Sequence, residues 1–221
     1  LVIGTGAALT STGVMLTIPE KAKADSASYY NKLGIEKHDD NDHYGAISAY
    51  TKAIEIDPYT SQYFYNRGLS KNLIKDNYGA IADFNKAIDI NSKYTAAYID
   101  RGLSKDALAD YYGAIADYNN AIDIDSNNSR AYNNRGNAKD DLEDYYGAIA
   151  DYTRAIEINP NYASAYYNRG NAKNKLKDYY GAIADYSKAI EINPKDEQAY
   201  DTRGYAKNQL RNYYGAIADA T

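Results

Sequence analysis

ASAYYNRGNAKNKLKDYYGAIADYSKAIEINPKD, residues 163–196, is the stretch whose reading decides the fold. Its first half sets Tyr166, Gly170, Lys173 and Leu176 at steps of four and three, and its second half repeats the spacing with Ala182, Ile183, Tyr186, Ala189 and Ile190. That spacing predicts two amphipathic helices. Lys177-Asp178-Tyr179 is the turn between them, with Asp178 placed to cap the second helix, and Asn193-Pro194 stops that helix. Elsewhere Asn159-Pro160 and Asp57-Pro58 give the same stop, while Ser92 and Ser126 replace proline in the middle copies.

The same 34 residues return along the chain. Gly-Ala-Ile begins at Gly45, Gly79, Gly113, Gly147, Gly181 and Gly215, and Arg-Gly recurs at Arg67, Arg101, Arg135, Arg169 and Arg203. In the first copy Leu33 holds the arginine place, followed by Gly34. A fixed period of this length means stacked supersecondary units, none able to bury its apolar face alone. The expected fold is all-α, an α-solenoid of stacked antiparallel helix pairs, in about 5.7 copies at 27–60, 61–94, 95–128, 129–162, 163–196 and the incomplete 197–221. Residues 1–24 form a separate segment.

Composition narrows the function classes. Lys+Arg 25 against Asp+Glu 30 gives a net charge of −5, with no concentrated basic stripe, so a dedicated nucleic-acid binder is excluded. Cys 0 removes disulfides, thiolate metal sites and cysteine nucleophiles. Two histidines, His38 and His43, leave little for a histidine-based active site. No nucleophile–base pair, phosphate loop or metal set is present, so the chain reads as no enzyme, with no cofactor and no metal. Tyr 27 against Phe 2 and Trp 0 is the odd number, far above ordinary usage.

Ala165-Tyr166, Gly170, Ala182, Tyr186, Ala189 and Pro194, with their counterparts in every copy, resemble the tetratricopeptide repeat (TPR) family. The resemblance spans 195 of 221 residues. It departs from the family where the apolar place before the glycine is Arg and the second aromatic of the first helix is Lys. The family implies a right-handed superhelix whose first helices line a concave groove, and a non-catalytic scaffold for protein partners.

Columns that stay constant between copies read as scaffold. Three are aromatic: Tyr30, Phe64, Tyr98, Tyr132, Tyr166 and Tyr200; Tyr44, Tyr78, Tyr112, Tyr146, Tyr180 and Tyr214; and Tyr50, Phe84, Tyr118, Tyr152 and Tyr186, ending in Ala220. All three are expected to pack between helices, the alternative being an aromatic ligand ladder. Tyr111, Tyr145, Tyr179 and Tyr213 are placed in the turn. Asp83, Asp117, Asp151, Asp185 and Asp219 occur in the copies that have the arginine, whereas copy one lacks both, with Leu33 and Ala49. Joint presence and joint absence predict an Arg–Asp pair across the helix interface, because a lone buried guanidinium is costly. Lys37, Lys71, Lys105, Lys139, Lys173 and Lys207 are expected to lay their stems over tyrosine and reach water or an acid, rather than to hold an anionic ligand.

Columns that vary carry partner choice. The family resemblance places these in the groove: Tyr65, Asn66, Leu69, Ile99, Asp100 and Leu103 early, and Asn133, Asn134, Asn137, Tyr167, Asn168 and Asn171 late. The early part is apolar, with Leu73 adding to it. The later part is amide-rich, and a ladder of Asn side chains offers donors and acceptors to the backbone of an extended peptide, unless Asn is surface filler. Asn133, Asn137 and Thr202 stand where the family's clamp for chaperone tails needs Lys or Arg, so a tail of that type is not expected. Asp100, Asp106, Asp140 and Asp141 favour a neutral to basic partner.

Two constellations are set aside. The run Glu36 to His43 matches neither the calcium-loop nor the zinc-helix spacing and falls on a turn. Leu1 to Leu9 imitates a dinucleotide fingerprint with no strand–helix–strand unit after it. Leu1 to Ile18 carries no charge, Pro19 breaks it and Ala22-Lys23-Ala24 follows, which reads as an export signal, giving a periplasmic or envelope location. An uncleaved anchor, the only route to membrane contact, and a cytoplasmic tail are the alternatives. Leu1 and Thr221 read as cut ends, with fraying expected after Tyr200. Two function classes stand: an adaptor holding an extended peptide or protein, or the repeat region of a larger enzyme or membrane protein.

Overall fold

The computed structural model describes residues 20–218, with side chains described from 25 to 211. Eleven helices run in order among them: α1 (Glu20–Asp39), α2 (His43–Ile56), α3 (Ser61–Leu73), α4 (Asn77–Ile90), α5 (Thr95–Asp106), α6 (Tyr111–Ile124), α7 (Ser129–Asp141), α8 (Tyr145–Ile158), α9 (Ala163–Lys175), α10 (Tyr179–Ile192) and α11 (Glu197–Ala218). Each odd helix packs on the even helix that follows and on the one before it. Each odd helix also touches the next odd helix, whereas no even helix touches the next even one among the described residues. The stack therefore curves, with the odd helices on its inner side. The fold is an all-α solenoid. Leu1 to Ile18 and Asp219 to Thr221 lie outside the described residues, and Ala22-Lys23-Ala24 falls within α1.

Local chemistry explains why every copy turns at the same place. Lys177 closes α9 in the left-handed region, as do Asn41, Lys75, Ala109 and Glu143 in their copies. The Asp178 N–H then donates back to the Lys173 carbonyl at 2.9 Å, a six-to-one closure of the helix end. The Asp178 carboxylate accepts from the Gly181 N–H at 3.0 Å, which caps α10. Asp42, Asp76, Asp110 and Asp144 repeat that cap. A Cβ on Gly181 would collide with the capping carboxylate, which is why Gly opens Gly-Ala-Ile. Between copies, Asn193, Asn159, Asp125, Asn91 and Asp57 each accept from the N–H two residues on. This Asx turn holds with or without proline, so Ser92 and Ser126 are tolerated.

The core repeats with the turns. In α10 the buried set is Ala182, Asp185, Tyr186, Ala189 and Ile190. The Tyr186 ring lies against Gly170, where a Cβ would stand 2.7 Å from Cε1. Tyr50, Phe84, Tyr118 and Tyr152 are seated the same way on Gly34, Gly68, Gly102 and Gly136. One aromatic column is corrected. Tyr44, Tyr78, Tyr112, Tyr146 and Tyr180 do not pack between helices: they are 75%, 76%, 76%, 76% and 61% exposed. Their neighbours Tyr111, Tyr145 and Tyr179, expected in the turn, start the even helices and pack partly buried on the core. The reason is helical phase. Tyr111 stands three and seven residues before Ala114 and Tyr118, whereas Tyr112 stands three and four before Ile115 and the exposed Ala116.

The sixth copy departs too. α11 continues as one helix through Arg211 and Asn212, where the other copies turn. In sequence Ala220 stands in the aromatic column, and among the described residues a Cβ on Gly204 would meet nothing within 4 Å.

Candidate functional site

The sequence-predicted Arg–Asp pair is present in four copies. Arg67, Arg101, Arg135 and Arg169 each form a two-pronged bond to Asp83, Asp117, Asp151 and Asp185, with Nε to Oδ2 at 2.9 Å throughout and Nη2 to Oδ1 at 2.5–2.7 Å. The constant lysines reach the same carboxylates, Lys71, Lys105, Lys139 and Lys173 at 2.7–2.8 Å. The third arginine nitrogen reaches back to the preceding copy, to Thr51, Asn85, Asn119 and Thr153. Each guanidinium also lies over an aromatic ring one turn earlier, at 5.3–5.7 Å for Phe64, Tyr98, Tyr132 and Tyr166. The arginine is thus a staple joining three helices. Its backward contacts were missed, although Thr, Asn and Ser at residues 51, 85, 119, 153 and 187 are all hydrogen-bonding types. Arg203 keeps two parts of it, Ser187 at 3.2 Å and the Tyr200 ring at 5.3 Å, while Asp219 lies outside the described residues.

On the inner face the predicted groove residues divide. Ile99, Asp100, Asn133 and Asn134 are buried. Ile99 belongs to the core cluster around Tyr118. Asp100 accepts from the Tyr65 hydroxyl at 2.7 Å and from Arg130 at 2.5 Å, which links three copies into a wall. Its charge is compensated, so it does not make the groove acidic. Asn66 donates to Asn31 at 3.0 Å. Tyr65 and Tyr167 sit half-buried against Phe84 and Tyr186, ring centroids 5.8 Å apart in both. Leu69 and Leu103 remain partly exposed, and Leu73 is exposed.

The asparagine ladder exists, but largely as bonds within itself. Asn168 donates to Asn137 at 2.9 Å and to Asn133 at 3.3 Å. The Tyr152 hydroxyl also donates to Asn137, and the Tyr186 hydroxyl to Asn171. These bonds fix the carbonyl oxygens of Asn137 and Asn171 as acceptors. A concave pocket of about 280 Å³ opens here, lined by Asn137, Asp140, Asp141, Tyr152, Asn168 and Asn171.

A row next to the ladder is satisfied in its early copies and orphaned in the later ones. Ser70 pairs with His38 at 2.9 Å and Ser104 donates to Asn72 at 3.0 Å, each one copy back. The next three copies carry Ala138, Ala172 and Ala206 in the serine place. Correspondingly, Asp106, Asp140 and Asn174 each keep a buried Oδ1 without a partner. Asp106 accepts from the Tyr118 hydroxyl at 2.6 Å on its other oxygen, yet burial lifts its carboxyl to about 6. Burial, with Asp141 beside it, raises Asp140 as well.

Family patterns for the tetratricopeptide repeat match residues 27–60, 129–162 and 163–196, the boundaries that the sequence period gives. The chain belongs to the tetratricopeptide-repeat family. Among solved TPR-like structures, MamA protein is 25% identical, with a TM-score of 0.69 over 79% of this chain and 95% of that one. YrrB, a TPR protein with an unusual peptide-binding site, shares the fold at 21% identity and a TM-score of 0.67, covering 84% of this chain and 95% of its own. The first TPR of Spaghetti (RPAP3), bound to the HSP90 peptide SRMEEVD, is 28% identical at a TM-score of 0.53 and covers 54% of this chain and 95% of its own. No curated protein matches the chain.

Proposed function

We propose that this TPR solenoid is a non-catalytic scaffold that holds an extended, neutral to basic peptide segment of a partner protein on its odd-helix face. The observation that carries this reading is the contrast between faces. The arginine staples that join the copies repeat from copy two onward, whereas the inner face changes from Leu69, Leu73 and Leu103 to Asn137 and Asn171. A surface with no structural reason to vary, set on a rigid curved frame, suits a partner of matching pattern. The peptide-bound Spaghetti repeat and the peptide-binding site of YrrB are precedents in similar folds. The buried carboxylates of the even helices are engaged in staples, which suits scaffolding rather than chemistry. We propose further that the scaffold is exported, on the uncharged Leu1 to Ile18 stretch and Ala22-Lys23-Ala24.

Display of random 15-residue peptides against the chain tests the groove. Enriched peptides should bind at least about tenfold more weakly to the double variant Leu69→Ser with Asn171→Ala, at unchanged helicity. Peptides that ignore both substitutions would place binding elsewhere.

A further inference from the structure

Carboxylates that are not exposed in this chain are, with one exception among the described residues, matched by a donor. Asp83, Asp117, Asp151 and Asp185 hold an arginine and a lysine. Asp100 holds Arg130 and the Tyr65 hydroxyl, and Asp106 holds the Tyr118 hydroxyl. Asp140 has neither: its Oδ1 is buried without a partner against the copy in which Ala172 replaces the serine. Lys175 acts on it only at a distance, and Asp141 adds a second negative charge. Both line the inner-face pocket, together with the amides of Asn137, Asn168 and Asn171. The hydroxyls of Tyr152 and Tyr186 take the Asn137 and Asn171 carbonyl oxygens, so the NH₂ groups are the donors these two residues have left.

We infer that this pocket is a specificity subsite for a lysine or arginine side chain of the bound peptide. It rests on the groove reading above. Asp140 and Asp141 take the cation, and the Asn137 and Asn171 amides donate to a peptide carbonyl beside it. A cation entering the pocket offsets the carboxylate charge that the protein leaves unmatched, whereas a neutral or acidic side chain does not. About 280 Å³ accommodates one such side chain but no folded element. The early groove, with Leu69, Leu73 and Leu103, then takes apolar residues, so the bound segment carries its basic residue toward the α7–α9 end.

The test titrates isotope-labelled full chain with N-acetyl-arginine amide, N-acetyl-lysine amide and the neutral isostere N-acetyl-citrulline amide, following the Asn side-chain amide signals. Both cationic probes should shift Asn137, Asn168 and Asn171, and citrulline should bind about tenfold more weakly or not at all. Asp140→Asn with Asp141→Asn should lower affinity for the cations by a similar factor. Equal binding of citrulline, shifts confined to other parts of the chain, or no shifts would overturn the subsite. Should the double variant lose helicity, the citrulline comparison on the unaltered chain decides alone. The random-peptide display separates the two readings. Groove-binding peptides with no basic residue sink the subsite and leave the groove standing; pocket binding of the cations without any enriched peptide does the reverse.

Discussion

Copy one is a natural double substitution of the staple, and it sets a quantitative expectation for the middle of the stack. There Leu33 and Ala49 replace the arginine and aspartate, and Lys37, freed from its usual carboxylate, bonds Asp42 at 2.8 Å. In copy four Asp151 is 5% exposed and is held by Arg135 at 2.5 Å and Lys139 at 2.7 Å. Arg135→Leu leaves that carboxylate with one cation, at a cost of about 3 kcal/mol, the low end for stripping a partner from a buried pair. Asp151→Ala strands Arg135 and Lys139, but both are about one-fifth exposed and can turn to water, for about 2 kcal/mol. The double variant leaves no buried carboxylate. It loses the Asn119 bond, about 1 kcal/mol, and the stacking on Tyr132, about 0.5–1 kcal/mol. Lys139 then has Asp144 where Lys37 has Asp42. The double should therefore cost about 2 kcal/mol against about 5 for the sum of the singles, a coupling of about 3. Urea unfolding followed by helicity gives these values, and hydrogen exchange of α7 and α8 amides covers the case in which the stack unfolds in parts. A double variant as costly as the sum would refute the staple as a charge-compensating unit.

Other outcomes follow from the same geometry. Gly136→Ala puts a Cβ 2.6 Å from Tyr152 Cε1 and should cost about 1–3 kcal/mol, read as a lower urea midpoint. Ala109→Gly relieves a left-handed residue at φ 59° and should stabilise by about 1 kcal/mol, raising Tm by about 2–4 °C; a lower Tm would mean that the turn is not strained. Asp106 should titrate at about 6 by carboxyl NMR. Its folded value lies above the unfolded 3.8, so the stability that Asp106 itself contributes is fully present below about pH 4 and is lost as pH rises through 6. Ala138→Ser, which puts a hydroxyl where Ser104 serves Asn72, should lower that titration and flatten the fall; an Asp106 that titrates near 4 in the unaltered chain removes the premise.

The sequence carried the stack well because repetition supplied its own controls. Arg169 and Asp185 could be paired because their counterparts are missing together in copy one, where Leu33 and Ala49 stand instead, and the turns could be placed because Asp178 recurs three residues before a glycine. Constancy, however, says nothing about which side of a helix a residue faces. Tyr112 and Tyr111 differ by about 100° around one axis, and the more constant column was the exposed one. Counting back from Tyr118 in steps of three and four would have found the buried one. Tyr44, Tyr78 and Tyr146 therefore stand in solvent with no packing reason to be tyrosine. The groove was half legible. Its columns were recoverable from variation, but not that Asn168 would spend its amide on Asn137, because side-chain pairing between copies depends on rotamers that no spacing encodes.

The staple reaches sixteen residues forward to an aspartate and sixteen back to a hydroxyl or amide, and both reaches are shorter than the 34-residue repeat. A duplication or deletion of whole copies therefore leaves every arginine with both of its neighbours, wherever the boundary falls. Length becomes a quantity that recombination can change without a folding penalty at the joint, and the recognition surface lengthens or shortens one segment at a time. Lineages carrying this array should differ in copy number more readily than in the composition of a copy.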